Sequence, residues 1–279
     1  MKLILVRCPA KVTLFLDAKS NDNSFCFEAL HDTVNIYDNL EIAVSKKFAN
    51  KVSSVSLSSN HTIDDNRNVM ILRAINEFFK YTQIDDYGVR VKIAKNIPSQ
   101  IGLGSASSDA AGVILGLDNY FDLHLSNKEL IDIAFSVGPS VPYFLFGGFK
   151  RVTSNGEKIA KENNIRCSEY LIALGKVNVN WDNLQKSVND ALKESIVSNN
   201  CQFIECLEGM LPQELSQIKK VLIESKATYA SINGVSPTVV GGFNDRHARF
   251  NALTELKKQN IKIFSCKPVD GMIIQKSFI

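Results

Sequence analysis

The stretch Ile97-Pro-Ser-Gln-Ile-Gly-Leu-Gly-Ser-Ala-Ser-Ser-Asp-Ala-Ala-Gly-Val113 is a glycine- and serine-rich loop between a predicted strand and a predicted helix. The alternation of Val89, Val91 and Ile93 predicts the strand. Apolar residues spaced three and four apart from Ala110 to Phe121 predict the helix. Because the first turn of a helix presents unpaired N–H groups and the positive end of the helix dipole, this arrangement predicts a phosphate-binding loop.

The small residues of this loop suit a phosphate ligand, although they also suit a turn without one. Gly102 and Gly104 allow the backbone to approach a ligand closely, and the hydroxyls of Ser105, Ser107 and Ser108 are predicted to lie at the helix start. A tight turn with a serine N-cap and no ligand would have a similar sequence, because serine is among the best N-cap residues.

Two other phosphate-binding loops fit this sequence less well. A P-loop requires a lysine directly after its second glycine, and none follows Gly104. A dinucleotide-binding loop requires Gly-x-Gly-x-x-Gly and an acidic residue about twenty positions later, at the end of a second strand. Ser107 could stand for the third glycine, but Asp118 and Asp122 lie within or just after the predicted helix.

The composition is that of a globular protein of 279 residues, with 45% hydrophobic and 22% charged residues. The net charge of +3 is small and the lysines are scattered, so we expect neither a nucleic-acid nor a membrane partner. The six cysteines show no Cys-x-x-Cys spacing, which predicts reduced thiols in a cytoplasmic protein and no metal cluster of protein side chains.

The rest of the chain alternates strands and helices, which predicts an α+β fold with helices packed on one face of a sheet. The apolar start is predicted to form two strands separated at Pro9, and the capping box Ser126-x-x-Glu129 predicts a helix ending near Gly138. The polar segment Thr153–Asn164 is the predicted domain boundary. The other predicted strands are 40–45, 52–57, 170–174, 228–232, 237–243 and 261–266, and the other predicted helices are 68–81, 184–197, 202–208, 213–226 and one after an Asn244 cap.

Three stretches resemble the signatures of the GHMP small-molecule kinases: Pro9–Leu16, Pro98–Ala111 and Gly138–Gly148. Within that family the similarity is greatest to members that phosphorylate a cytidine-diphosphate derivative of methylerythritol in the non-mevalonate route to isoprenoids. Supporting similarity, in the expected order along nearly the whole chain, is found at Thr33–Ile42, Asn68–Ala74 and Ser231–Phe243.

The resemblance implies the two-domain GHMP kinase fold. Residues 1–152 would form an ATP-binding domain like domain 2 of ribosomal protein S5, and residues 165–279 a ferredoxin-like domain. It also implies transfer of the γ-phosphoryl group of ATP, with Mg²⁺, to a hydroxyl of a small alcohol bound between the domains. A monomer or a homodimer is expected. The residues implied to bind the nucleotide are Pro98, Ile101, Gly102, Leu103, Gly104, Ser105, Ala106, Ser107, Ser108 and Asp109.

The resemblance implies that Lys11 stabilises charge during the transfer, whereas a lysine after a proline is by default a solvated surface charge. Ser140 occupies the position of the family's aspartate, which takes the proton of the substrate hydroxyl. A serine does not accept a proton near neutral pH, and losing a positioned general base costs on the order of 10²–10⁴ in rate. The implied substrate-binding residues are Thr13, Phe25, Pro142 and Tyr143.

The implied substrate contacts also depart from the family pattern. Phe25 aligns where the family has an imidazole that holds the cytosine ring, and His31 lies close by. Thr13 replaces the usual asparagine, and the turn Asn233–Thr238 carries a valine and a serine, which predict a crowded turn. Three hypotheses therefore stay open: a kinase for the cytidylated substrate, a kinase for another small alcohol, and a catalytically impaired protein that binds nucleotide.

Overall fold

The computed structural model describes residues 2–21, 24–46, 65–154, 156–176, 183, 186, 209–234 and 236–278. Among these residues two antiparallel sheets form, and each packs helices against one face. The first sheet contains β1 (Lys2–Asn21), β2 (Ser24–Lys46), β3 (Tyr87–Ala94), β4 (Lys150–Ser154), β5 (Lys158–Lys161), β10 (Pro268–Val269) and β11 (Ile273–Phe278). Its order is β11-β1-β2-β4-β5, and both β3 and β10 also pair with β2.

The second sheet contains β6 (Glu169–Leu174), β7 (Tyr229–Ile232), β8 (Thr238–Phe243) and β9 (Lys262–Cys266), in the order β7-β8-β6-β9. Four helices pack on the first sheet: α1 (Asp65–Thr82), α2 (Ser105–Phe121), α3 (Asn127–Val137) and α4 (Val141–Phe146). Two helices pack on the second sheet: α5 (Gln213–Glu224) and α6 (Arg246–Lys258).

A third apolar cluster lies between the two sheets and brings the glycine loop to their junction. Val12 and Leu30 of the first sheet meet Ile172 and Val240 of the second, together with Leu103 of the loop. All five side chains are buried, and each contributes about 1.5–3 kcal/mol of apolar burial. The loop is therefore packed against both sheets.

Most of the predicted elements that fall on described residues are confirmed to within a few residues. These include α1, α3 with its complete capping box at Ser126, and the strands β6 and β8. The N-cap of α6 was predicted wrongly, because Asp245 accepts a hydrogen bond from Ala248 N at 2.8 Å whereas Asn244 accepts one from Ser168 N. The predicted elements at 52–57, 184–197 and 202–208 lie outside the described residues.

The predicted strand break at Pro9 is wrong. β1 runs without interruption through this position, and its register against β2 shifts between Pro9 and Ala10. Proline has no N–H to donate to a ladder, so a strand tolerates it at such an irregularity. Directly after the shift, Lys11 N donates to Leu103 O at 2.9 Å, which ties β1 to the glycine loop.

The segment Thr153–Asn164 is not a linker, because it contains most of the β4–β5 hairpin. β5 is an edge strand with the sequence Lys-Ile-Ala-Lys, so its polar composition resembles that of a linker. The strand β11 returns from the end of the chain to pair with β1. The first sheet therefore draws on both ends of the described chain, and the division into 1–152 and 165–279 stays a prediction.

Candidate functional site

Two glycines of the loop have backbone conformations that other residues adopt only with strain. The φ angles of Gly102 and Gly104 are 77° and 74°, in the left-handed region. A Cβ at Gly104 would lie 2.6 Å from Phe144 Cζ and 3.3 Å from Lys11 Cγ, and a Cβ at Gly102 would lie 2.6 Å from Ser236 Oγ. Both positions therefore require glycine for conformation and for space.

The helix α2 begins directly after Gly104, and no side chain caps its N-terminus. Ser108 N donates to Gly104 O at 2.9 Å, which is the first backbone bond of the helix. The N–H groups of Ser105, Ala106 and Ser107 precede it and have no acceptor within the helix. With no acidic residue in the first turn, these groups and the helix dipole favour an anion.

Ser105 and Ser108 lie in the first turns of α2, and their hydroxyls form hydrogen bonds within the protein. Ser108 Oγ donates to Pro9 O at 2.7 Å, and Ser105 Oγ donates to Asp38 Oδ2 at 2.8 Å. Both side chains are buried, whereas Ser107 is partly exposed. The anion-binding groups that remain at this helix end are mainly backbone N–H groups.

A buried charge cluster lies behind the first turns of α2. Lys95 Nζ donates to Asp109 Oδ2 at 2.6 Å and also contacts Asp38 and Ser105. Asp109, predicted to bind nucleotide, is 1% exposed and belongs to this cluster. Buried charges are tolerated when they are paired, so the cluster fixes the helix start to the end of β3. Sequence patterns did not indicate Lys95 or Asp38, because they are 57 residues apart.

Lys11 lies beside the glycine loop with its side chain partly buried. Its Nζ donates to Thr13 Oγ1 at 3.0 Å. Burial lowers the pKa of Lys11 from 10.5 to about 8. Among the described residues no carboxylate lies within ion-pair distance of this ammonium group. Lys11 therefore supplies an unneutralised positive charge next to the helix start rather than a fully solvated surface charge.

The short helix α4, which follows Ser140, packs against the loop, whereas Ser140 itself is exposed to solvent. Ser140 is exposed at the N-cap of α4 and makes no capping hydrogen bond. Pro142 and Tyr143 are buried, and Tyr143 Oη donates to Gly148 O at 2.8 Å. Phe144 is fully buried against Gly104. The helix thus supports the loop, while the exposed Ser140 offers a hydroxyl rather than a carboxylate.

An asparagine side chain joins β1, the loop and the second sheet. The buried Asn233 accepts a hydrogen bond from Thr13 N at 2.9 Å and donates to Ile101 O at 3.4 Å and to Thr238 Oγ1 at 3.3 Å. The sequence motif does not indicate this role of Asn233, because its partners lie up to 220 residues away. Phe25 belongs to β2, and its side chain lies outside the described part of the chain.

Another buried carboxylate, Asp32, lies on β2. Asp32 is fully buried and accepts hydrogen bonds from Arg166 Nε at 2.9 Å, Arg166 Nη2 at 2.8 Å and Tyr170 Oη at 2.8 Å. Arg166 also donates to Asp270 Oδ1 and Val269 O, both at 2.6 Å. We call Asp32, Arg166 and Asp270 the arginine clasp, because it ties β2 to the segments before β6 and after β10.

Within the described ranges, no group of three or more histidine, cysteine, aspartate or glutamate side chains is arranged to hold a metal ion. No described helix is long and apolar enough to cross a membrane. The site is therefore built from backbone N–H groups, one lysine and the side chains that pack around them.

This fold and this site define the class of the GHMP kinases. The family of the GHMP kinases N terminal domain matches residues 69–148, which include the glycine loop. The solved homoserine kinase from Cytophaga hutchinsonii superposes with a TM-score of 0.71 at 17% identity, over 98% of this chain and 97% of that chain. A solved 4-(cytidine 5'-diphospho)-2C-methyl-D-erythritol kinase superposes with a TM-score of 0.66 at 20% identity, over 95% and 100%. The predicted α+β two-domain fold is thus confirmed.

The sequence comparison is more specific. The chain is 31% identical to the 4-diphosphocytidyl-2-C-methyl-D-erythritol kinase of Caldanaerobacter subterraneus subsp. tengcongensis over 270 residues, which cover 90% of this chain and 92% of that protein. The chain belongs to the 4-diphosphocytidyl-2-C-methyl-D-erythritol kinase family of the GHMP kinases. The resemblance inferred from the sequence is confirmed.

Proposed function

We propose that the chain is a cytoplasmic ATP-dependent kinase. It transfers the γ-phosphoryl group of ATP to the 2-hydroxyl of 4-diphosphocytidyl-2-C-methyl-D-erythritol, in the non-mevalonate route to isoprenoids. The observation that carries the proposal is the partly buried Lys11 beside the uncapped start of α2. The relative of that name, similar over almost the whole chain, supports the choice of substrate.

The loop suits the phosphates of ATP, which supplies the γ-phosphoryl group. The N–H groups of Ser105, Ala106 and Ser107 lie at the positive end of α2. The left-handed backbone at Gly102 and Gly104 keeps side chains away from the helix start. Backbone donors fixed in this way bind a phosphate without reorganising, which is how preorganised sites stabilise charge.

Lys11 suits the stabilisation of charge during transfer. With a pKa of about 8, Lys11 is protonated and positively charged in most molecules at neutral pH. Phosphoryl transfer rests mainly on positioning and on stabilising the charge of the transferring group, so a fixed ammonium next to the phosphate loop is an appropriate group.

Magnesium suits this site only as a partner of the nucleotide. Among the described residues no group of three or more histidine, cysteine, aspartate or glutamate side chains is arranged to hold a metal ion, and the hydroxyl of Ser105 is already bonded to Asp38. Mg²⁺ usually keeps several water ligands and binds substrate phosphates with few protein ligands. The phosphates of ATP and water would therefore supply most of its ligands.

A second candidate function is nucleotide binding without efficient transfer. It is favoured by the exposed Ser140 and by the fact that no described carboxylate lies within ion-pair distance of Lys11. Without a general base, the rate would fall by on the order of 10²–10⁴ unless positioning compensates. The two candidates share the nucleotide site and differ in turnover.

The test is ADP release by the purified protein with ATP, Mg²⁺ and 4-diphosphocytidyl-2-C-methyl-D-erythritol. Lys11→Ala should abolish turnover, whereas Lys92→Ala should preserve it, because Lys92 is 61% exposed on β3 and pairs only with Glu41. Turnover that both variants retain would remove Lys11 from the mechanism. ATP binding without turnover of this alcohol would favour the second candidate.

A further inference from the structure

His31 lies on β2 directly opposite Thr13 of β1. Residues directly opposite each other in an antiparallel pair project from the same face of the sheet, and so do residues two apart on one strand. Lys11 and Thr13 are two apart and are joined by a hydrogen bond of 3.0 Å. His31 therefore shares the face of the sheet that carries Lys11.

The surroundings of the His31 ring confirm this placement. Its ring centroid lies 5.0 Å from that of Tyr143, in an edge-to-face arrangement. Tyr143 belongs to α4, whose next residue, Phe144, packs on Gly104 of the loop. Burial, with a smaller contribution from the Lys11 ammonium, holds the pKa of His31 well below its usual value. His31 is thus a neutral imidazole between Lys11 and α4.

The two ring nitrogens of His31 differ in their environment. Nδ1 is inaccessible to solvent and has no hydrogen-bond partner among the described residues. Nε2 is not among the buried unpartnered atoms, and no described hydrogen bond uses it, so it is the accessible nitrogen. An unpaired lone pair is a more tolerable buried state than an unpaired N–H, so the proton of the neutral ring lies on Nε2.

A histidine that serves only packing would not have this arrangement. Buried polar side-chain atoms are normally hydrogen-bonded, either to another protein group or to an ordered water molecule. Here the acceptor is unpaired and the donor is accessible beside the lysine. The Nε2–H group therefore lacks a hydrogen-bond acceptor, and a ligand can supply one.

We propose that His31 is a substrate-binding residue whose Nε2–H donates a hydrogen bond to an oxygen atom of the alcohol substrate, next to Lys11. The assignment rests on the proposed function. It places two donors with different charge on one face of β1 and β2: Lys11, which attracts the phosphoryl group, and a neutral imidazole, which recognises an uncharged oxygen. Such a contact positions the hydroxyl relative to the phosphoryl group, in a site where no described carboxylate lies within ion-pair distance of Lys11.

Kinetic measurements on two matched variants test the assignment. His31→Phe keeps a ring against Tyr143 but removes the donor, and His31→Gln places an N–H near the position of Nε2. His31→Phe should raise the KM for the alcohol about tenfold or more, while the KM for ATP changes less than about twofold. His31→Gln should restore most of the loss. Equal losses in both variants, or a change confined to ATP, would overturn the assignment.

NMR of the ¹⁵N-histidine-labelled protein tests it without turnover. The chain has four histidines, and the signal missing from His31→Phe identifies His31. The ring should be neutral with its proton on Nε2 at pH 7, and the ¹⁵Nε2 signal should shift when the cytidylated alcohol is added. An imidazolium, an Nδ1–H ring or an unshifted signal contradicts the inference. A shifted signal in a protein without turnover would support His31 as a binding residue while refuting the proposed function.

Discussion

Lys11 is held where its ammonium group is less stable than in water. Burial lowers the pKa of Lys11 to about 8, and no described carboxylate compensates for the lost hydration. A ligand of opposite charge can compensate for the hydration that the ammonium group has lost, which favours its binding beside Lys11. Both the activity and the stability of the protein should therefore depend on pH near the pKa of this one side chain.

The first expectation concerns activity. Because the charged form of Lys11 is the active one, kcat/KM should fall about tenfold per pH unit above pH 8. In Lys11→Arg the fall due to this group should be absent up to about pH 10, at a lower maximal rate, because a guanidinium keeps its proton to about pH 12 or beyond. Steady-state rates from pH 6 to 10 measure this. If kcat/KM of the arginine variant still falls above pH 8, the group that titrates is not Lys11.

The second expectation concerns stability. Between pH 8 and 10.5 the unfolded chain binds the proton that folded Lys11 has lost, so the contribution of Lys11 to the free energy of unfolding should rise with pH in this range. Lys11→Met should remove that rise and be more stable than the parent at pH 7, by on the order of 1 kcal/mol. Urea unfolding at pH 7 and 9.5 tests this, with Lys92→Met as the exposed control. A variant less stable than the parent would contradict it.

Single residues with local signals could be predicted from the sequence, whereas those with distant partners could not. The glycines and Lys11 could be predicted because the loop and strand motifs that contain them extend over only a few neighbouring residues. Asp32 and Asn233 could not, because their partners are 134 and 220 residues away. The partners of the Ser105 and Ser108 hydroxyls could not be predicted either, since the sequence does not reveal that Asp38 and Pro9 lie close enough to accept their hydrogen bonds.

Among the elements, the glycine loop and α2 depend on one another. The left-handed conformation at Gly104 ends the loop, and the next residue starts the helix. Phe144 of α4 occupies the space where a side chain at this position would lie. Any Cβ at Gly104 must therefore displace either the loop or α4.

Gly104→Ala should weaken ATP binding at least tenfold and destabilise the fold by about 1–3 kcal/mol. The alanine would be strained in the left-handed backbone conformation, and its Cβ would lie only 2.6 Å from Phe144 Cζ. Gly209→Ala is the matched control, since a Cβ there meets nothing within 4 Å. Calorimetric titration with ATP and thermal melts measure both effects. Equal affinity in the two variants would show that the loop does not hold the nucleotide.

The elements themselves were largely predictable where apolar periodicity is strong. α1 and α3 follow from their patterns because their buried faces repeat regularly, and β6 follows from a short continuous apolar run. β5 was missed because an edge strand needs few apolar residues. The continuity of β1 was missed because proline at a register shift resembles proline at a strand end.

On the scale of the whole molecule, the arginine clasp joins regions that are far apart in the sequence. Asp32 is fully buried, whereas Asp270 is 93% exposed at the other end of the same guanidinium. Removing one partner of a buried ion pair leaves an uncompensated charge, which is far more costly than losing an exposed pair.

Arg166→Met should therefore lower the free energy of unfolding by about 3–5 kcal/mol. Asp270→Asn, which disturbs only the exposed carboxylate, should change it by less than about 1 kcal/mol. Denaturant unfolding curves at pH 7 separate the two. If both variants lost the same amount, the contact with Asp32 would not be the stabilising part of the clasp.

The pairing of β11 with β1 has a consequence for synthesis on the ribosome. Lys2 pairs with Phe278, so one edge of β1 stays without its partner strand until Phe278 has emerged. At about 5–20 residues per second this takes roughly 15–55 s. During that interval an unpaired strand edge is open to other nascent chains and to chaperones. The synthesis of β11 thus determines when this edge of β1 is protected from aggregation.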